Sequence, residues 1–299
     1  MLLPQFEYHE PKTLSEACEI MAELSGRAKA LAGGTDLIVN MKKKLIRPEH
    51  LVCVDRVDEL KGIEASEGRV RIGACEKVAD IASSEEVNRH ISALTAGASN
   101  LGSPLIRNLA TIGGNLASAR PAADLPPSLM AYGAELTLRS KNGERLIKIE
   151  DLFQGPGETI MQPEDLISEI LVPVPAGAYG AHYIKLGVRR ALEISIVNVA
   201  AFVQLDNDGS HIADARVVVG AVAPTPIRAP SAEAVLKGEK ADEGLFDKAA
   251  EAASGDAKPI DDFRASAEYR RDMVAVLTKR ALKAAYTEAA KGQGKRNYL

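Results

Sequence analysis

The spacing of apolar positions makes the first 55 residues a β-α-β unit. Leu14, Cys18, Met21 and Leu24 recur at helical spacing. Thr13 and Glu16 open that run as T-x-x-E, a capping box, and Gly26 stops it. Residues 28–31 read as a short strand that ends in Gly33-Gly34. Thr35 or Asp36 then caps a second helix with Leu37, Met41 and Leu45 on one face. Residues 51–54 are an apolar strand.

Beyond Gly62 the period changes. Residues 69–73 alternate as a strand, and residues 77–99 are alanine-rich and helical in at least two pieces. Residues 102–127 carry Gly102, Pro104, Gly113, Gly114, Pro121, Pro126 and Pro127 and predict a long irregular segment. A loop of that length holding Leu105, Ile106, Leu109, Ile112 and Leu116 reads as ordered and functional. Residues 135–140 and 145–149 flank Asn142-Gly143 as a hairpin with a two-residue turn. Pro173, Pro175 and Gly177 mark a domain boundary. Strands follow at 183–188, 195–205 and 215–222, the last two joined by Asn207-Asp208-Gly209. Helices are expected at 231–236, 242–253 and 266 to about 291. The last carries Tyr269, Met273, Val276, Leu277 and Ala284 as its apolar stripe. The C-terminal part is thus an antiparallel sheet covered by helices, with a polar, frayed tail from Gly292 to Leu299.

Composition narrows the function classes. The 299 residues are enough for two ordinary domains, and 46% hydrophobic with 26% charged residues excludes a mainly disordered chain. A net charge of −4 argues against nucleic acid as a partner. No apolar run reaches the ~18 residues of a membrane span, and the first residues show neither the basic nor the apolar region of a signal peptide. Three distant cysteines, Cys18, Cys53 and Cys75, fit a reducing compartment, the cytoplasm, and are too few to hold an iron–sulfur cluster. Five scattered histidines without HxxxH or HExxH spacing predict no zinc site.

Two glycine pairs carry the candidate chemistry: Ala32-Gly33-Gly34-Thr35-Asp36 and Thr111-Ile112-Gly113-Gly114-Asn115. Glycine lets a backbone approach a ligand closely, and successive N–H groups in such turns form an anion-binding concavity. Two such loops can grip both phosphates of a pyrophosphate. A Gly-Gly after a strand is also an ordinary tight turn, and neither loop matches GxGxxG or GxxxxGK[ST].

The run from Gly102 through Thr111-Ile112-Gly113-Gly114-Asn115 to Ser118 resembles the FAD-binding medium subunit of the molybdenum hydroxylases, of the xanthine dehydrogenase and carbon monoxide dehydrogenase type. Residues 32–36 look like the family's first FAD motif, and residues 121–127 like the segment after its second. The resemblance spans the whole chain. It implies an α+β, PCMH-type FAD-binding domain at 1–176, with lobes of about 1–55 and 56–176 and FAD between them. A smaller antiparallel-sheet-plus-helices domain follows at 177–290, then a tail at 291–299. By resemblance Gly33, Gly34, Thr35, Thr111, Gly113, Gly114 and Asn115 meet the pyrophosphate, with Ala32, Asp36 and Ile112 in the same motifs. Asp124 bonds a hydroxyl of the adenosine part; on its own sequence it also reads as a helix N-cap. Ile167 and Lys185 lie on the isoalloxazine side, where a lysine charge stabilises reduced flavin; the plain reading of Lys185 is a solvent-facing strand lysine.

The carbon monoxide enzymes carry His-Ser where this chain has Thr35-Asp36, and Asn115 is as in xanthine-type enzymes. The chain therefore looks closer to an N-heterocycle or aldehyde enzyme. Arg189-Arg190 reads as a solvated turn, or as a docking point for an acidic partner or the phosphate of NAD. The resemblance implies an electron-transfer subunit with no catalytic residue of its own. Its partners are a small subunit with [2Fe–2S] clusters and a large molybdopterin subunit, in a doubled heterotrimer. Electrons leave to NAD, a quinone or a ferredoxin. The alternatives are a self-standing flavin oxidase, against which stands the lack of a histidine beside either loop, and a scaffold subunit without FAD.

Overall fold

The computed structural model describes residues 3–66, 68–189 and 191–294. The first lobe is a three-stranded parallel sheet in the order β1-β3-β2, with β1 Glu7–His9, β2 Ala28–Leu31 and β3 His50–Cys53. Helix α1, Leu14–Leu24, begins where the Thr13 hydroxyl accepts from Glu16 N–H at 3.1 Å, so the expected cap forms. The Glu16 carboxylate reaches back to Lys12 N–H at 2.6 Å, one residue further than a capping box requires. Between β2 and β3 lies α2, Leu37–Lys42. Neither Thr35 nor Asp36 caps it by side chain, and Leu45 is exposed beyond its end.

The second lobe is an antiparallel sheet in the order β4-β5-β10-β6-β7: β4 Ile63–Ser66, β5 Arg69–Gly73, β6 Glu135–Ser140, β7 Gly143–Lys148 and β10 Leu166–Pro173. The β6–β7 turn is Lys141-Asn142, because Ser140 pairs with Gly143; the expected turn was one residue late. Helices α3 Val78–Ser83 and α4 Glu85–Asn100 supply the two helical pieces. The segment expected to be irregular folds into three short helices, α5 Pro104–Arg107, α6 Ile112–Ala117 and α7 Pro126–Tyr132. A small ribbon, β8 Phe153–Gly155 and β9 Glu158–Thr159, completes the lobe.

The C-terminal sheet runs β11-β12-β13-β14: Tyr179–Leu186, Val197–Leu205, Ile212–Gly220 and Ile227–Arg228. Helices α8 Pro230–Leu236, α9 Glu243–Asp256 and α10 Ala267–Gly294 cover one face. β12 is apolar almost throughout because both its faces are covered. Ala200 and Phe202 join the core of the second lobe, while Val197, Val199, Ala201 and Val203 pack under the helices. The C-terminal sheet is thereby seated on α4 and α7. The buried face of α10 is Arg270, Val274, Leu277, Ala281, Ala285 and Ala289; of the expected stripe Leu277 is buried and Met273 packs against the core, while Tyr269 and Val276 are exposed. Arg270 disguises that face: its guanidinium donates to Ile196 O, Ala221 O and the Asp262 carboxylate.

Candidate functional site: two glycine loops and a buried polar node

The two glycine loops lie side by side at the seam between the lobes. A Cβ on Gly33 would overlap the carbonyl of Leu109, two residues before Thr111, so loop one packs backbone to backbone against the approach to loop two. Lys77 stitches the same seam, pairing with Asp55 and donating to Leu109 O at 3.5 Å. Arg120 closes it from the other side, with Nε 3.5 Å from Asp36 Oδ1.

Loop one leaves its donors free. Gly34 sits at φ +69°, a backbone turn that glycine permits without strain. Among the described residues, the N–H groups of Gly33, Gly34 and Thr35 donate to no protein acceptor. Ala32 through Asp36 are all half-buried. Unpaired N–H groups at a half-buried seam are the donor set an anion needs.

Loop two is built differently. Thr111, Ile112 and Gly113 are buried, and Gly113 packs where an added Cβ would stand 2.7 Å from Ala74 Cβ and 2.8 Å from Ala74 O. Its N–H groups are spent: Ile112 on Glu76 O, Gly113 on Ala74 O, Gly114 on Thr111 Oγ1, and Asn115 on Thr111 O. Gly114 is exposed, and Asn115 is half-buried with its Oδ1 enclosed and without a partner among the described residues. Ile167 is buried on β10, beside Ser168, whose carbonyl accepts from Ala74 N–H; Ala74 O in turn holds Gly113.

Asp124 and Lys185 form a separate node. Lys185 Nζ lies 2.8 Å from Asp124 Oδ2 and donates to Asn100 O at 3.1 Å. Its side chain is 7% exposed, so it does not face solvent. Asp124 also accepts from Tyr183 Oη at 2.7 Å and Ser195 Oγ at 3.1 Å, and Asn198 Nδ2 reaches Ser195 Oγ at 3.2 Å. Asp124 caps no helix; α7 begins after Leu125 without a side-chain cap. Burial pushes the Asp124 carboxyl above its ordinary range, against the pull of Lys185 and the two hydroxyls. Burial, and then the neighbouring carboxylate, holds Tyr183 well above its usual value. The node joins the second lobe to β11 and the approach to β12. Two of the three Lys185 N–H bonds are used there.

Sequence reasoning missed Tyr183, Ser195, Asn198 and Arg120. The alternation of Tyr183 and Lys185 along β11 puts both on one face and was a usable signal. Arg120 lies in an irregular segment with no periodicity to read, and Ser195, expected to open a strand, lies just before β12. Arg189 is largely exposed and bonds locally to Glu193 and Leu192 O, as a solvated turn would have it, and Arg190 lies outside the described residues.

Residues 4–175 match the family of the FAD binding domain in molybdopterin dehydrogenase, and residues 182–285 match the CO dehydrogenase flavoprotein C-terminal domain. The chain belongs to the FAD-binding medium-subunit family of the molybdopterin dehydrogenases. Among its relatives, the carbon monoxide dehydrogenase medium chain of Hydrogenophaga pseudoflava is 33% identical over 290 residues, covering 97% of this chain and 100% of that one. The xanthine dehydrogenase FAD-binding subunit of Escherichia coli O157:H7 is 32% identical over 284 residues, covering 94% and 96%. In structure, carbon monoxide dehydrogenase from H. pseudoflava, lacking the Mo-pyranopterin moiety of its cofactor, superposes with a TM-score of 0.92 at 34% identity, over 96% of this chain and 99% of that one. Quinoline 2-oxidoreductase from Pseudomonas putida 86 gives 0.90 at 26% identity, over 97% and 99%. Identity does not separate the carbon monoxide branch from the xanthine branch of the medium-subunit family.

The residues at the seam fit the family's FAD. Loop one has the unpaired N–H groups a pyrophosphate needs, Gly114 leaves open surface, and Asn115 Oδ1 is an unsatisfied acceptor.

Proposed function

We propose that this chain is the FAD-binding electron-transfer subunit of a multi-subunit molybdenum hydroxylase. It takes electrons from the [2Fe–2S] clusters of a small partner subunit, and a large molybdopterin subunit oxidises the organic substrate. The observation that carries the reading is the set of free N–H groups of Gly33, Gly34 and Thr35 set against loop two at the seam of two lobes. Bound FAD supplies a carrier able to exchange electrons singly or in pairs, which suits a relay between clusters and an external acceptor.

The chain's own groups bind and position. Loop one holds the pyrophosphate by backbone N–H groups. Thr111 fixes loop two by capping α6, and Asn115 takes a cofactor hydroxyl. Ile167 and Lys185 line the isoalloxazine side, and the remaining Lys185 N–H is the donor available there. Asp124 orients Lys185. Thr35-Asp36 and Asn115 favour an N-heterocycle or aldehyde enzyme, and NAD, a quinone or a ferredoxin takes the electrons. Three free, buried cysteines agree with a cytoplasmic setting. Among the described residues no helix is long and apolar enough to cross a membrane.

The test is reconstitution. The chain expressed alone should hold one acid-releasable FAD per chain and show no bleaching of it by organic substrates. Adding the iron–sulfur and molybdenum chains should make bleaching substrate-dependent. Flavin that stays with acid-precipitated protein, or turnover of a substrate by the lone chain, would return the reading to a self-standing oxidase.

A further inference from the structure

The first lobe brings three metal-ligand side chains together at a place far from the glycine loops. Glu7 and His9 are two residues apart on β1, so they share one face of that strand. His50 opens β3 and stands opposite Glu7 in the parallel register. His9 Nε2 is 3.2 Å from His50 Nδ1, and His50 Nδ1 is 3.2 Å from Glu7 Oε2. One ligand atom from each of the three lies within 4.8 Å of the other two.

Four ligands around a cation at about 2.0 Å stand roughly 3.3 Å from one another by tetrahedral geometry. The two measured separations match that edge. His50 Nδ1 faces both other ligand atoms at once, yet as a hydrogen-bonding atom it carries one proton or one lone pair. A cation between the three satisfies all of them together. We propose that Glu7, His9 and His50 form a divalent transition-metal site of the zinc class, with solvent as the fourth ligand. Two imidazoles and one carboxylate suit zinc, cobalt or nickel better than magnesium or calcium. The Glu7 side chain is 75% exposed and that of His50 12%, so an ion enters from the Glu7 side onto a largely buried nitrogen.

The site is independent of FAD binding. In the sheet order β1-β3-β2, loop one follows β2 on the opposite edge from β1. Its effect is structural: β1 is a three-residue edge strand, and the ion staples it to the central strand β3. The sequence concealed the site because 41 residues separate His9 from His50, a spacing no short motif contains.

The test uses the full chain, stripped with chelator and titrated with Zn2+ and, separately, Co2+. One equivalent should bind, Co2+ should give the visible absorption of a four-coordinate site, and Zn2+ should raise the melting temperature. His9→Ala and His50→Ala should each weaken Zn2+ binding by more than the roughly 10–100-fold that loss of a mere supporting partner costs. Glu7→Gln changes an exposed side chain and cannot plausibly unfold the chain, so it reads the site even if a histidine variant is unstable; it too should weaken binding at least about tenfold. His211→Ala, at the acidic Asp206-Asp208 turn, should leave Zn2+ binding unchanged. Absence of Zn2+ binding, binding that survives Glu7→Gln and His9→Ala, or binding lost in His211→Ala would each overturn the proposal. FAD content should stay the same in every variant, which keeps this result separate from that of the flavin reading.

Discussion

The two glycine loops share a sequence pattern and do opposite things with their backbones. In each pair the first glycine is a clearance: Gly33 lets loop one touch Leu109, and Gly113 lets α6 sit on Ala74. The second glycines differ: Gly34 turns the backbone at positive φ, while Gly114 is exposed. The difference is in the donors. Loop one leaves the N–H groups of Gly33, Gly34 and Thr35 open, whereas loop two spends those of Ile112, Gly113, Gly114 and Asn115 on β5-side carbonyls and on Thr111. Equal glycine content therefore does not mean equal anion binding. In the proposed reading loop one is the grip and loop two is the wall, and the wall contributes a side chain, Asn115.

The strongest way to break this comparison is Gly33→Ala. The added methyl meets a backbone carbonyl that cannot swing aside, so the lobes must part. Unfolding in denaturant should show a loss of more than about 3 kcal/mol, beyond ordinary overpacking. A Gly33→Ala chain as stable as the parent would mean that the loops do not touch.

Gly34→Ala tests the grip itself. Its φ of +69° costs a residue with a Cβ about 1–2 kcal/mol. Relaxing that strain turns the free N–H groups away. FAD affinity, by fluorescence titration, should fall about tenfold, the equivalent of 1.4 kcal/mol. Thr111→Ala tests the wall. It removes the N-cap of α6 and should cost about 1 kcal/mol of stability. Because the N–H groups of loop two are not the anion's donors, its effect on FAD affinity should be smaller than that of Gly34→Ala. The reverse order would exchange the roles of the loops.

Much of this was legible beforehand, and what was not has physical reasons. The glycine pairs, the Thr13 cap and the strand-helix alternation are local signals, and the structure carries them. β1 is three residues long, too short to show a period, and owes its place to pairing with β3. The buried face of α10 was partly misplaced because Arg270, fully buried, occupies a core position through Asp262 and two carbonyls distant in sequence, Ile196 O and Ala221 O. The same holds for Asp124. Its partners Tyr183, Lys185 and Ser195 come from beyond the second lobe, so only packing of the C-terminal sheet brings them together. The split between open and spent donors was beyond the sequence altogether, since it depends on which backbone lies under each loop.

The smallest effect is the most discriminating. Arg120 follows loop two in the chain but pairs with Asp36 at the end of loop one. Both side chains are about half exposed, so the pair is worth less than about 1 kcal/mol to folding. Arg120→Ala should therefore leave the unfolding curve nearly unchanged. Its importance is to the anion. Beside open N–H groups, an unpaired Asp36 carboxylate repels a pyrophosphate, and Arg120 cancels that charge. FAD affinity of Arg120→Ala should fall about two- to fivefold at low salt, the span of one exposed charge contact. The gap should close near 1 M salt, where charges are screened beyond about 3 Å. Adding Asp36→Asn decides how Arg120 acts. If it works by neutralising Asp36, the double variant regains parental affinity. If Arg120 itself contacts a phosphate, the loss remains in the double variant, and loop one's grip includes a charge supplied from the loop two side. An affinity indifferent to both the single and the double variant would leave the backbone donors of Gly33, Gly34 and Thr35 as the whole of the grip.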